Sequence, residues 1–100
     1  MTILPREQVA QHFAVSVTVL TRYEARGLVH AVREGEIEGY EPAEIRRLWT
    51  VLSLHRDLGI NLAGVEAILR LRSHIDEVHH QLDHLAHELR AALNDQGGDH

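Results

Sequence analysis

The sequence lacks cysteine and lysine, and only 4% of its residues are Phe, Trp or Tyr. Without cysteine the chain has no disulfides, no thiolate metal centre, no iron–sulfur cluster and no cysteine nucleophile. Its apolar runs are too short to span a membrane, and its first residues lack the basic and then apolar order of a signal peptide. We therefore expect a soluble, cytoplasmic protein.

The chain is rich in aliphatic side chains and in carboxylates. Hydrophobic residues make up 44% of its 100 residues, which suffices for the core of one small domain. All ten basic residues are arginine, and fifteen carboxylates give a formal net charge of −5. This acidic balance argues against a surface that binds nucleic acid.

Turn and cap residues divide the first part of the chain into two short helices. Pro5 suits the first position of a helix, and Ser16 suits the N-cap of a second helix that Gly27 ends. The two helices meet at residues 13–15. This arrangement predicts a helix-turn-helix motif.

A small hairpin and a third helix are predicted next. β-branched residues flank a glycine-containing turn in residues 28–40, which indicates a two-stranded wing. Pro42 opens a helix that we expect to run to about Leu58 and to end at Gly59. Its wide apolar stripe predicts packing on two sides. We expect Trp49 to lie in the core, with a partner-binding surface as the alternative.

The last third of the chain has the clearest periodicity. Asn61 can cap a long helix whose apolar residues alternate spacings of three and four, as in a coiled coil. A capping-box pattern after Arg72 allows a break there. A homodimer explains an otherwise unpartnered seam, and the alternative is a helix folded back on its own domain. The predicted dimerisation residues are Ile75, Val78, Leu82, Leu85 and Leu89.

These elements predict a mainly α fold: a winged helix-turn-helix with a small β-hairpin wing and a long C-terminal coiled-coil helix. We expect the winged helix-turn-helix domain at residues 1–60 and the helical dimerisation segment at residues 61–96. The remaining tail, residues 97–100, is expected to fray.

Histidines crowd one face of the last helix. His80, His84 and His87 follow an i, i+4, i+7 spacing. Two histidines at i, i+4 can chelate zinc or nickel, and several could respond to pH near 6. We interpret the face as a solvated polar surface without a metal site. A metal-responsive regulator and a pH response remain alternatives.

The sequence offers little support for catalysis. None of Ser16, Ser53 and Ser73 lies in a glycine elbow, and no glycine-rich loop follows a strand to hold phosphate. We therefore expect neither an enzyme nor a cofactor nor a small-molecule substrate.

Two segments carry a family resemblance. Residues 16–29 resemble the second helix of MerR-like winged-helix proteins, in which a small residue precedes Leu-Arg-x-Tyr-Glu-x-x-Gly-Leu. The wing, third helix and coiled coil follow in that family's order, so the resemblance covers essentially the whole chain. Residues 54–69 are similar to two branches: the heat-shock repressor HspR, which binds DNA, and the chaperone modulator CbpM, which binds the J-domain of a DnaJ-type cochaperone.

The wing distinguishes the two branches. DNA-binding MerR and HspR regulators have roughly Arg-Thr-x-Gly-x-Arg-x-Tyr there, whereas residues 33–39 keep one arginine and carry three glutamates before Tyr40. The resemblance therefore implies a chaperone modulator that covers the basic helix of a J-domain and blocks its encounter with DnaK. The alternative is a DNA-binding regulator of heat-shock genes.

Each reading predicts its own contact residues. For the chaperone modulator, we expect a homodimer that contacts the J-domain through acidic and apolar side chains of the third and fourth helices: Glu44, Trp49, Leu52, Asp57 and Glu66. For the DNA-binding alternative, the expected contacts are Arg22, Tyr23, Arg26 and Arg33.

Overall fold

The computed structural model describes residues 2–98, with side chains described for residues 2–95. The chain divides into two compact units after Val65. Most of its residues are helical, as predicted. In chain order the elements are β1 (Leu4–Pro5), α1 (Arg6–Phe13), α2 (Val17–Ala25), β2 (Val32–Glu34), β3 (Ile37–Tyr40), α3 (Pro42–Leu52), a π-helical turn (Ser53–Asp57) and α4 (Leu62–Gly98).

The predicted helix-turn-helix is confirmed. Ala14 adopts the left-handed conformation between α1 and α2, and the Val15 N–H donates to the Ala10 carbonyl at 3.0 Å. Ser16 caps α2, because its hydroxyl accepts a hydrogen bond from the Val19 N–H at 3.2 Å. Pro5 lies one residue before the position we expected, as the N-cap of α1.

The wing is confirmed, but it belongs to a three-stranded antiparallel sheet in the order β1-β3-β2. The strand β1, whose Leu4 pairs with Tyr40, was not predicted from the sequence. Gly39 allows this close approach, since a Cβ there would lie 1.9 Å from the Leu4 carbonyl oxygen. The first part of the predicted hairpin is not strand: Leu28 and Val29 are buried in the segment before β2.

The core of the N-terminal unit brings together residues from its helices, the sheet and the first turn of α4. Burial of this aliphatic and tyrosine surface is the main force that holds the three short strands against the helices. Its buried residues are Val9, Ala10, Leu20, Tyr23, Leu28, Val29, Tyr40, Leu48, Val51, Leu52, Leu62 and Val65.

The third helix differs from its prediction at its end and on one face. α3 ends at Leu52, and the chain continues as a π-helical turn in which the Leu58 N–H donates to the Ser53 carbonyl at 3.0 Å. Gly59 follows with φ +71°. The expectation that Trp49 lies in the core is wrong: 63% of its surface is exposed, because it lies outside the buried stripe that Leu48, Val51 and Leu52 form on α3.

Helix α4 begins as predicted. The Asn61 side-chain oxygen accepts a hydrogen bond from the Gly64 N–H at 2.8 Å. The helix then continues to Gly98 without the break allowed at Arg72, because helical hydrogen bonding outweighs that local cap signal. Residues 97 and 98 of the predicted frayed tail are therefore helical, and residues 99 and 100 lie outside the described residues. No described helix combines the length and apolarity needed to cross a bilayer.

Candidate partner-binding surface

The exposed face of α2 is the one a DNA-binding helix would present. Thr18, Thr21 and Arg22 are exposed there, and the Thr21 hydroxyl donates to the Thr18 carbonyl at 2.9 Å. Arg26 follows at the C-cap of α2, and Arg33 is exposed on β2. Three of the four residues expected to contact DNA are therefore exposed.

Tyr23, the fourth of these residues, is not a surface contact. Only 1% of it is exposed, and its hydroxyl lies 2.7 Å from His55 Nδ1 in the π-helical turn. Burial raises the pKa of Tyr23, and the charges of Arg56 and Arg22 partly oppose this rise. The residue thus packs α2 against the turn after α3, and its assignment to a DNA-binding set is wrong.

Several arginines of the N-terminal unit are engaged inside it. Arg6 Nε and Nη2 donate to the two carboxylate oxygens of Glu24, each at 2.9 Å. Arg47 donates to the Leu28 carbonyl at 2.5 Å, and Arg56 donates to the Phe13 carbonyl at 2.6 Å. These arginines hold α1, α3 and the π-helical turn to their neighbours, and Arg6 and Arg56 are also paired with carboxylates.

Glu24 is the centre of a polar network beneath the wing. Tyr40 and Arg6 both donate to its carboxylate. Burial raises the pKa of Glu24, but the hydrogen bonds from Arg6 and Tyr40 and the charge of Arg6 outweigh burial, so that its pKa lies below the ordinary value. The pKa of Tyr40 is raised by burial and by Glu24. This network was not predicted from the sequence, because its members lie far apart along the chain.

The wing presents carboxylates where a DNA-binding wing would present cations. Glu34, Glu36 and Glu38 are exposed, and the side chain of Glu38 lies 3.4 Å from Arg6 with half of its surface in solvent. Ile37, between two of them, is 50% exposed. The alternation of Glu and Ile in this stretch predicts a buried Ile37, so its exposure could not be predicted from the local sequence.

The five residues expected to contact a J-domain differ in their exposure. Leu52 is only 1% exposed on the inner face of α3, so its assignment to a partner surface is wrong. Glu44 accepts a hydrogen bond from the His30 N–H at 2.6 Å, and 23% of its side chain is exposed. Asp57 is exposed and pairs with Arg56 at 3.1 Å.

Trp49 and Glu66 complete this set. Trp49 is an exposed aromatic side chain on a regular helix, which is a common feature of protein-binding surfaces. Glu66 is half-buried and begins the second unit. Within the N-terminal unit, Trp49 and Asp57 are therefore the members of the set best exposed for a partner.

The second unit is a helix with two distinct faces. The predicted dimerisation residues are exposed by 46%, 37%, 57%, 49% and 56% in chain order, so the described chain leaves the seam unpaired. His84 lies 3.1 Å from Glu88 one turn further on. Among the residues that the structure describes, no three potential metal ligands come together. The solvated polar face stays the prediction, and the two-histidine chelate stays its alternative.

A family model described as MerR HTH family regulatory protein matches residues 4–87. The chain belongs to this family. The match spans the helix-turn-helix, the wing and most of α4, and it points to a regulator rather than an enzyme. Searches of curated proteins and of solved structures found no match.

Proposed function

We propose that this MerR-family protein regulates a chaperone pair by binding the J-domain of a DnaJ-type cochaperone and hindering its action on DnaK. The observation that carries the proposal is the charge of the wing, which exposes Glu34, Glu36 and Glu38. Carboxylates at these positions would face phosphates in a DNA complex and would be repelled. The same carboxylates attract a basic helix of a protein partner.

The distribution of arginines supports a protein partner. DNA-binding modules need several unopposed cations, but the charges of Arg6 and Arg56 are opposed by Glu24 and Asp57 within the fold. The exposed Trp49 supplies an apolar anchor of the kind that contributes most of the affinity at protein interfaces. Long-range attraction would then set the association rate, and apolar contact would set the lifetime of the complex.

We propose further that the protein acts as a homodimer through α4. A helix whose apolar seam is exposed over several turns gains stability when a second copy covers it. Leu82 and Leu85 lie at the middle of that seam and are about half exposed in the single chain. The function proposed here is steric, because a bound dimer would cover the surface that the J-domain uses to engage DnaK.

Isothermal titration of the full chain with the J-domains of the DnaJ-type cochaperones of the same organism tests the proposal. We expect saturable binding with a dissociation constant in the micromolar range or below, and weaker binding at higher salt. Trp49→Ala should weaken this binding without changing the melting temperature. Absence of heat with every J-domain, from a folded protein, would refute the proposal.

DNA binding is the second candidate function, and the exposed face of α2 favours it. Thr18, Thr21 and Arg22 are side chains that contact phosphates and base edges in DNA-binding helices. In this case the protein should bind DNA upstream of its own gene, with affinity that falls steeply as salt rises. Arg22→Ala should then flatten the salt dependence. Binding that is weak and equal for all sequences would exclude this function.

A further inference from the structure

The outer face of the wing sheet carries an apolar side chain that the core does not use. Glu34 pairs with Ile37 across β2 and β3, so their side chains lie on the same face of the sheet. Glu38 and Tyr40 lie on the opposite face, where Tyr40 is fully buried against the helices. Ile37 therefore points away from the core, and half of its surface is exposed.

This outward face contains a groove within the N-terminal unit. Its lining residues are Thr2 and Ile3 from the segment before β1, together with Glu34 and Ile37 from the hairpin, and its volume is about 250 Å³. The lining thus combines two isoleucine side chains with one carboxylate. We call it the wing groove.

The charge around the wing groove indicates the chemistry of its occupant. Glu34 lines the groove, and Glu36 lies in the turn beside Ile37. Neither carboxylate forms an ion pair within residues 2–95. An anionic ligand would be repelled by these charges, and a purely apolar ligand would desolvate them. An aliphatic side chain flanked by cations would instead contact the isoleucines and pair with the carboxylates.

We propose that the wing groove is the docking site for a basic polypeptide segment in which an aliphatic side chain is flanked by Lys or Arg. This inference rests on the proposed function, and it assigns the basic helix of the J-domain to the wing instead of to α3 alone. The aliphatic side chain would contact Ile3 and Ile37, and the flanking cations would pair with Glu34 and Glu36. The wing would then recognise protein instead of DNA.

The test compares four full-length proteins by isothermal titration with the same J-domain at two salt concentrations. The variants are Ile37→Thr, which keeps the β-branched shape but removes apolar surface, and the double variant Glu34→Arg/Glu36→Arg. The matched control is Asp83→Arg, a charge reversal on exposed α4 outside the groove. Melting curves establish that each variant is folded.

We expect Ile37→Thr to weaken binding about threefold or more, and the double reversal to weaken it at least tenfold and to remove most of its salt dependence. Asp83→Arg should bind like the wild type. Glu34→Gln/Glu36→Gln gives a milder variant if the double reversal fails to fold, and it should lose several-fold in affinity.

The possible results distinguish a failure of the proposed function from a failure of the wing groove as its docking site. If the wild type binds no J-domain, the proposed function fails, and this inference fails with it. If the wild type binds and the Ile37 and glutamate variants bind equally well, the wing groove is not the docking site, although the proposed function stands.

Discussion

Replacing Arg6 by methionine removes the cation from the polar network beneath the wing. The substitution keeps an unbranched side chain of similar length, so it removes the guanidinium while leaving most of the aliphatic packing. Glu24 then loses two hydrogen bonds of 2.9 Å and keeps only the one from Tyr40. Only 13% of the Arg6 side chain and 18% of the Glu24 side chain are exposed, so water replaces little of the lost interaction.

The cost follows from this burial. Removing one partner of a fully buried ion pair costs about 3–5 kcal/mol, and a hydrogen bond to a charged group contributes about 1.5–3 kcal/mol. Glu24 keeps its hydrogen bond from Tyr40 and some contact with solvent. We therefore expect Arg6→Met to lower the free energy of unfolding by about 2–3 kcal/mol at pH 7. In a domain of this size, that loss lowers the melting temperature by roughly 10–20 °C.

The loss of stability caused by Arg6→Met should be smaller at lower pH. In the wild type the pKa of folded Glu24 lies below its ordinary value, so its stabilising effect is full above about pH 5 and is lost as the pH falls through the folded pKa. Without Arg6, burial is opposed by Tyr40 alone, which raises the pKa of Glu24 relative to the wild type. The difference in stability between the two proteins should therefore shrink as the pH falls from 7 to 4.

Thermal unfolding followed by circular dichroism, at one fixed protein concentration and at pH 7, 5 and 4, measures this effect. Arg6→Met/Glu24→Gln is the matched variant, and it should recover part of the loss because it leaves no buried unpaired charge. An Arg6→Met protein as stable as the wild type at pH 7, or a deficit that grows as the pH falls, would refute the reasoning.

Three further predictions concern the sheet, the π-helical turn and α4. Gly39→Ala should lower the melting temperature markedly, since its Cβ would meet the Leu4 carbonyl oxygen at 1.9 Å; an unchanged melting temperature would contradict the pairing of β1 with β3. Tyr23→Phe should cost about 1 kcal/mol in urea unfolding by removing the hydrogen bond to His55; no loss would mean that water replaces it. Leu82→Asp should convert a dimer to a monomer in sedimentation equilibrium, and an unchanged mass would exclude the α4 seam.

Local signals sufficed for the elements that depend on neighbouring residues. Ser16 and Asn61 cap helices because each side chain reaches a backbone N–H three residues ahead, an interaction that the sequence order alone determines. The strand β1 could not be found in this way. It consists of two residues that become a strand only because Gly39 leaves space beside them, and that contact crosses more than thirty residues of chain.

Exposure was harder to predict than helix position. Trp49 and Leu52 belong to the same set of apolar residues in the sequence of α3. Trp49 is exposed and Leu52 is buried, because only one side of α3 packs against the core. Tyr23 belongs to the segment that resembles the MerR family, and its burial follows from packing against a turn whose His55 lies 32 residues along the chain. The acidic wing, by contrast, could be predicted from the local sequence, because water solvates exposed carboxylates and they need no partner within the fold.

The decisive measurement for the proposed function is the stimulation of DnaK ATPase activity by a DnaJ-type cochaperone while this protein is titrated in. We expect the stimulated rate to fall toward the basal DnaK rate as the protein saturates the J-domain, and the fractional inhibition to be smaller at higher salt when it is measured against a control without the protein at the same salt. A stimulated rate that stays unchanged at saturating concentrations of the folded protein would refute the proposed function.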